Sequence, residues 1–159
     1  MSSSNLAWLR GVSVAIGLCS LAFTSCNYDV PITSSPTRNV EQRLLGDWIS
    51  LDGKENMKVR RLDDNTYVVY YDGHLFRAYH SDVAETPFTT VQDLNSSDRK
   101  YAYVIWKLSD DGKNLRLRSV KDKVVPKETK ESATVVALLT KNVNNPDLFG
   151  EEIEFKKEK

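Results

Sequence analysis

Residues 101–119 read YAYVIWKLSDDGKNLRLRS, two alternating runs on either side of a turn. In the first run Tyr101, Tyr103 and Ile105 face opposite to Ala102, Val104 and Trp106. Such a strand is apolar on both sides and belongs where both faces are covered. The stretch Ser-Asp-Asp-Gly-Lys-Asn then supplies a hairpin loop, polar and glycine-containing. In the second run Leu115 and Leu117 alternate with Arg116 and Arg118, which leaves one face wet. A doubly covered strand joined by a hairpin to a half-covered one is the centre of an antiparallel β domain.

The same alternation extends upstream. A strand over Asp47–Leu51 follows Gly46, and Met57 and Val59 alternate with Lys58 and Arg60. The turn Asp63-Asp64-Asn65 leads into Thr66–Tyr71, and Asp72-Gly73 turns the chain into His74–His80. After a loop through Pro87 a weaker strand covers Phe88–Leu94. Downstream the period changes. Ser132 is placed to N-cap a helix from Ala133 to Val143, with Val135, Val136, Leu139 and Val143 on one stripe and Asn144-Asn145-Pro146 ending it. A short strand, Glu152–Lys156, closes the chain. The expected fold is mainly β, an antiparallel barrel of about eight strands plugged or flanked by one late C-terminal helix, with a flattened sandwich as the alternative. Closure would remove the sticky edges of an open sheet.

The N-terminus carries a different signal. It is polar through Arg10, apolar from Gly11 to Phe23, and reaches Phe23-Thr24-Ser25-Cys26. The apolar run would be about 20 Å long as a helix, short of the ~30 Å hydrocarbon core of a bilayer, so residues 1–25 read as a signal peptide. An ordinary secretory cleavage site wants small residues at both flanking positions, and Phe23 is bulky. An uncleaved anchor is the third alternative. Cys19 follows Ile16-Gly17-Leu18 inside the apolar run and would be discarded with it. Of the two cysteines only Cys26 would remain, so no intramolecular disulfide is expected and stability must come from burial. Residues 27–42 are polar, contain Pro31 and Pro36, and show no sustained period, so residues 26–42 read as a flexible tether. Residues 43–159 form one domain, expected to fold without the tether.

Charge and motif content bound the function. The chain has 22 basic and 22 acidic residues. Loss of the signal removes only Arg10, leaving a balance that is no footprint for nucleic acid. No Gly-x-Ser-x-Gly elbow, P-loop, Rossmann glycine set or His-Glu-x-x-His occurs, so a non-catalytic protein is expected, with a hydrolase as a distant alternative. The acidic pairs Asp63-Asp64 and Asp110-Asp111 lie in turns, and Glu151-Glu152 begins a strand. His74 and His80 lie on one strand about 20 Å apart, too far to share a metal ion, and are expected at the surface or half-buried. No metal or cofactor is expected beyond covalent lipid on Cys26.

That lipid is implied by a resemblance. Phe23-Thr24-Ser25-Cys26 resembles the lipobox of bacterial lipoproteins, in which a small residue precedes the cysteine that is diacylated on sulfur; Phe23 stands where Leu is usual. The resemblance makes Cys26 the lipid attachment site and the membrane a partner through that anchor. Asn27 stands where an Asp would retain a lipoprotein at the inner membrane of well-studied Gram-negative bacteria, which implies the outer membrane of a cell envelope, on its periplasmic or its surface face. Leu44-Leu45-Gly46-Asp47-Trp48 is similar to the Gly-x-Trp signature of lipocalins and related calycin barrels. With Val59–Tyr67, Phe76–Ala78 and Asn145–Phe149 it makes the chain resemble small bacterial lipoproteins with a lipocalin-like domain. The resemblance implies a barrel and an anchor and no established activity.

In that resemblance Trp48 closes one end of the barrel under a cation from Arg116 or Arg118, with core packing or ligand contact as the other readings. Tyr67, Tyr70, Tyr71, Tyr79, Tyr101, Tyr103 and Trp106 form an aromatic set in the middle strands that could fill the barrel or line a greasy cavity. The candidate closure or ligand-lining residues are therefore Trp48, Arg118, Tyr67, Tyr103 and Trp106. The expected function is a lipid-anchored accessory or interaction module with an envelope protein partner. The alternative is a binder or carrier of a lipid or other small apolar ligand, and the size of the barrel interior separates the two.

Overall fold

The computed structural model describes residues 27–159, so the segment 1–25 expected to be a signal peptide and Cys26 lie outside the described residues. Eight strands form a closed antiparallel barrel in chain order: β1 Gly46–Ser50, β2 Asn56–Arg61, β3 Thr66–Tyr71, β4 His74–His80, β5 Phe88–Asp93, β6 Tyr101–Leu108, β7 Asn114–Ser119 and β8 Ile153–Lys157. Closure is made by β8 returning to β1, with Trp48 opposite Lys157 and Ser50 opposite Phe155. One helix, α1 (Ser132–Asn142), interrupts the connection from β7 to β8.

The turns follow from their residues. Asp72 and Gly73 both have left-handed φ, 47° and 81°, the geometry of tight hairpins whose twist matches the strands. The Asp63 carboxylate accepts from the Asn65 amide at 2.8 Å, and Asp111 accepts from the Lys113 amide at 3.0 Å. These carboxylates shape turns.

Two cores flank the wall formed by β5 and β6. The barrel interior is filled by Trp48, Met57, Val59, Val69, Tyr71, Phe76, Leu115, Leu117 and Phe155, among others. The second core lies outside the wall, where Phe88, Tyr103 and the partly buried Tyr101 and Ile105 meet Val135 and Leu139 of α1 together with Tyr28, Ile32 and Leu148. The two-sided apolar pattern of Tyr101–Leu108 has this cause: Ala102 and Val104 point into the barrel, Tyr103 into the second core. The helix therefore flanks the barrel. Ser132 is its first residue and not its cap; the Ser132 hydroxyl donates to the Pro31 carbonyl at 2.7 Å, tying the helix to the N-terminal segment.

That segment overturns the expectation of a flexible tether. Tyr28 is bridged to Tyr101 through both backbone groups, at 3.0 and 2.9 Å, on the edge of β6 beyond the point where β7 leaves it. The Tyr28 ring stacks on Tyr103 at 4.1 Å, and the Tyr103 hydroxyl donates to the Val30 carbonyl at 2.6 Å. Ile32 is fully buried, and its amide donates to Thr90 on the outer face of β5. Farther along, the Tyr79 hydroxyl donates to the Thr33 carbonyl. Two prolines and many polar residues hid three apolar side chains, Tyr28, Ile32 and Val40, whose irregular spacing fits a strap crossing several strands.

Candidate functional site

The strap ends by crossing one mouth of the barrel. There the Thr37 amide donates to the His80 carbonyl at 2.9 Å, the Val40 amide to the Asp64 carbonyl at 2.9 Å, and the Asn65 side-chain amide to Asn39 at 2.8 Å. A 3-10 turn, Gln42–Leu44, then drops Leu44 into the interior. Leu44 accepts the Trp48 indole N–H on its carbonyl at 2.9 Å, so strap and first strand are bonded at the Gly-x-Trp motif. Gly46 is favoured by its φ of 143°, which side chains rarely adopt; the Lys157 Cε would lie 2.7 Å from an added Cβ, but it is the end of a flexible side chain.

Beneath the strap is a small apolar cavity of ≈ 60 Å³, lined by Leu44, Val69, Ala78, Val91, Leu115 and Leu117, with Tyr67, Thr89 and Trp106 toward the mouth. Sites that enclose a drug-sized ligand are typically ~300–1,000 Å³, and a water-sized occupant needs about 10–15 Å³. The interior is therefore nearly solid, with room for a few small groups.

A polar cluster closes the mouth. His80 continues the inward parity of Phe76 and Ala78 and is fully buried, which corrects the expectation of a surface or half-buried histidine. Its Nε2 lies 2.7 Å from the Tyr67 hydroxyl, which receives the Glu41 amide N–H at 2.6 Å. The Tyr67 proton is thus free to point at Nε2, placing the proton of the neutral imidazole on Nδ1. Among the described residues Nδ1 is buried with no hydrogen-bond partner, as is Oδ1 of Asp82. The His80 ring lies 5.4 Å from that of Tyr67 and 5.7 Å from that of Trp106. Above Trp106 sits the Arg38 guanidinium, 5.8 Å from the ring centre, with its Nε 3.2 Å from Asp82. The Trp106 indole donates to Thr89 at 3.1 Å.

Burial pushes the His80 imidazole down to about 4, with Arg38 adding to the effect and Asp82 and Glu41 opposing it. Burial also raises the Tyr67 phenol to about 12. Both groups are uncharged at neutral pH. The unfolded chain protonates this histidine near its ordinary 6.5, whereas the folded chain does so near 4. The stability held by the neutral ring is therefore complete above ~6.5 and is lost as pH falls toward 4, about 3 kcal/mol in all. In urea titrations between pH 7 and pH 4, His80→Gln is expected to show a shallower fall of the unfolding midpoint than the native chain. Parallel curves would contradict a buried neutral His80.

The candidate residues named from sequence separate into two places. Tyr67 and Trp106 line the cavity. Trp48 is fully buried in the same interior, but its cation is Lys157, whose Nζ lies 5.1 Å from the ring centre and donates to the Arg43 carbonyl at 2.8 Å. Arg118 is on the outer face, 5.1 Å from the Phe149 ring, donating to the Gly150 carbonyl, and Arg116 pairs with Glu154 at 2.6 Å. The alternation Leu115-Arg116-Leu117-Arg118 had already placed both arginines opposite the core face. Tyr103 belongs to the second core, with Tyr79 and Tyr101 also outside the barrel, while Tyr70 is exposed. Sequence reasoning missed His80, Arg38 and Lys157; the parity of Phe76-x-Ala78-x-His80 was the signal for the first. Among the described residues no group of three or more His, Cys, Asp or Glu side chains is placed to hold a metal ion. No family model, curated protein or solved structure matches this chain.

Proposed function

We propose that the chain is a lipid-anchored lipoprotein of a bacterial cell envelope, attached through Cys26, whose lipocalin-like barrel acts as a non-catalytic accessory or interaction module. The observation that carries the anchor is the order of Arg10, the apolar run Gly11–Phe23, and Ser25 before Cys26. The module reading is supported by the interior: ≈ 60 Å³ beneath a strap bonded to several strands leaves little room for cargo. Asn27 after the cysteine favours delivery to the outer membrane. With two or three acyl chains such a protein stays on the membrane, since each buried methylene contributes about 0.8 kcal/mol.

Cys26→Ser is expected to abolish incorporation of labelled palmitate and to move the protein from the membrane to the soluble fraction or leave it as unprocessed precursor. A labelled, membrane-bound variant would overturn the assignment. In-cell crosslinking of the anchored protein followed by pull-down should then enrich one envelope partner.

The second reading, a carrier of a small apolar ligand, is favoured by the apolar lining and by closure of the mouth through a strap and not a strand. A lipid or hydrocarbon copurifying in native mass spectrometry would support it. A clean apo mass after extraction from membranes would favour the module.

A further inference from the structure

The strap begins at the first described residues. Asn27 is exposed and, with Tyr28, Ser119, Val120, Lys121, Asp122 and Lys127, lines an open surface cleft of ≈ 200 Å³. Tyr28 is fixed on both backbone groups and by its ring. Cys26 is one peptide away from Asn27. Its Cα is therefore about 3.8 Å from that of Asn27 and no more than about 7 Å from that of the docked Tyr28. A lipid attached at this position cannot hold the domain at a distance, because no free chain separates the two.

The charges nearby are unequal in their engagement. Asp29 takes both Lys100 and Lys130, and Asp122 takes Lys127, with Glu128 also acting on Lys127. Lys121 and Lys123 are exposed and form no ion pair among the described residues. Basic side chains held within a Debye length of an anionic bilayer are attracted to its phosphates.

We infer that the barrel lies against the membrane by one defined face, the cleft around Asn27, with Lys121 and Lys123 at the phosphates of an anionic lipid surface; this rests on the reading of Cys26 as the site of lipidation. The opposite side of the barrel, where β2 and β3 carry the exposed Lys58 and Tyr70, then faces away and is left for partners.

The lipidated protein has its one natural cysteine blocked, so a fluorophore can be placed on a single new thiol. Lys121→Cys and Lys58→Cys would be labelled and placed in vesicles of phosphatidylglycerol and phosphatidylcholine carrying a headgroup quencher. The label at 121 is expected to be quenched several-fold more than that at 58. A flexible Gly-Ser insert between Cys26 and Asn27 is expected to erase the difference. In phosphatidylcholine alone, or with Lys123→Glu, the quenching at 121 is expected to weaken. Equal quenching at 121 and 58 without the insert would overturn the inference, and a loss-free response to Lys123→Glu and to neutral vesicles would overturn the part played by the lysines. If the cell-derived protein carries no lipid, the anchor reading has failed. The geometry is then asked separately on the chain starting at Cys26, its one thiol coupled to a maleimide lipid: on anionic vesicles the acetylation of Lys121 and Lys123 is expected to slow several-fold relative to that of Lys58, and equal slowing at all three would overturn the inference.

Discussion

A chain that starts at Arg43 is expected to lose cooperative unfolding and to bind a hydrophobic dye at neutral pH. Removing residues 27–42 takes away Tyr28, Ile32 and Val40, which are 3%, 0% and 7% exposed. A fully buried apolar side chain stabilises by roughly 1.5–3 kcal/mol, so the direct loss is about 5–9 kcal/mol, comparable to the ~5–15 kcal/mol stability of a whole domain. The loss extends beneath the strap, since Tyr103, Tyr79 and the His80 cluster are all covered or bonded by it. Thermal melts followed by near-ultraviolet circular dichroism provide the measurement. A truncated chain melting at the temperature of the chain from Asn27 onward would show the strap to be ornamental. The same result would restore the picture of a tether followed by an autonomous domain, which the sequence alone favoured.

Trp48→Ala is expected to destabilise the protein by about 3–5 kcal/mol, the range for truncating a large buried aromatic side chain. Trp48 is fully buried at the barrel seam, and two side-chain contacts depend on it. Its indole N–H satisfies the Leu44 carbonyl, its ring carries the Lys157 ammonium, and its strand pairs with β8 at the barrel seam. Loss of the ring leaves a carbonyl without its donor and a lysine without its aromatic face, so Trp48→Phe should recover most of the packing while still lacking the hydrogen bond. Urea unfolding at neutral pH separates these effects. A change of less than about 1 kcal/mol in Trp48→Ala would mean that the site relaxes around the loss.

The two variants probe different levels of legibility. Trp48 was visible as a motif because Gly46 and Trp48 have local reasons to be where they are: a φ that glycine favours and an inward parity shared with Ser50. Its cation was not visible, because Lys157 reaches it only through closure of β8 on β1, a contact between residues more than a hundred positions apart. The resemblance places Arg116 or Arg118 there, although their alternation with Leu115 and Leu117 puts both on the opposite face. His80 could have been found by extending the parity of Phe76 and Ala78 one step further. Its protonation state could not, since that depends on burial by a strap from another part of the chain.

What the sequence determined by itself is the set of strands, the hairpin turns, the late helix and the two-sided character of Tyr101–Leu108. Each of these is a local property, written in alternation with period two, in Asp-Gly and Asn-containing turns, and in a stripe at helical spacing. Only the tertiary structure decided which covering lies over the outer face of β6, that residues 27–44 are a strap and not a tether, and that the barrel interior is nearly filled. Those outcomes depend on where side chains from distant segments come to rest. Tyr28, Ile32 and Val40 have no periodic neighbours to announce them, and they are buried because the folded barrel presents a surface that they fit.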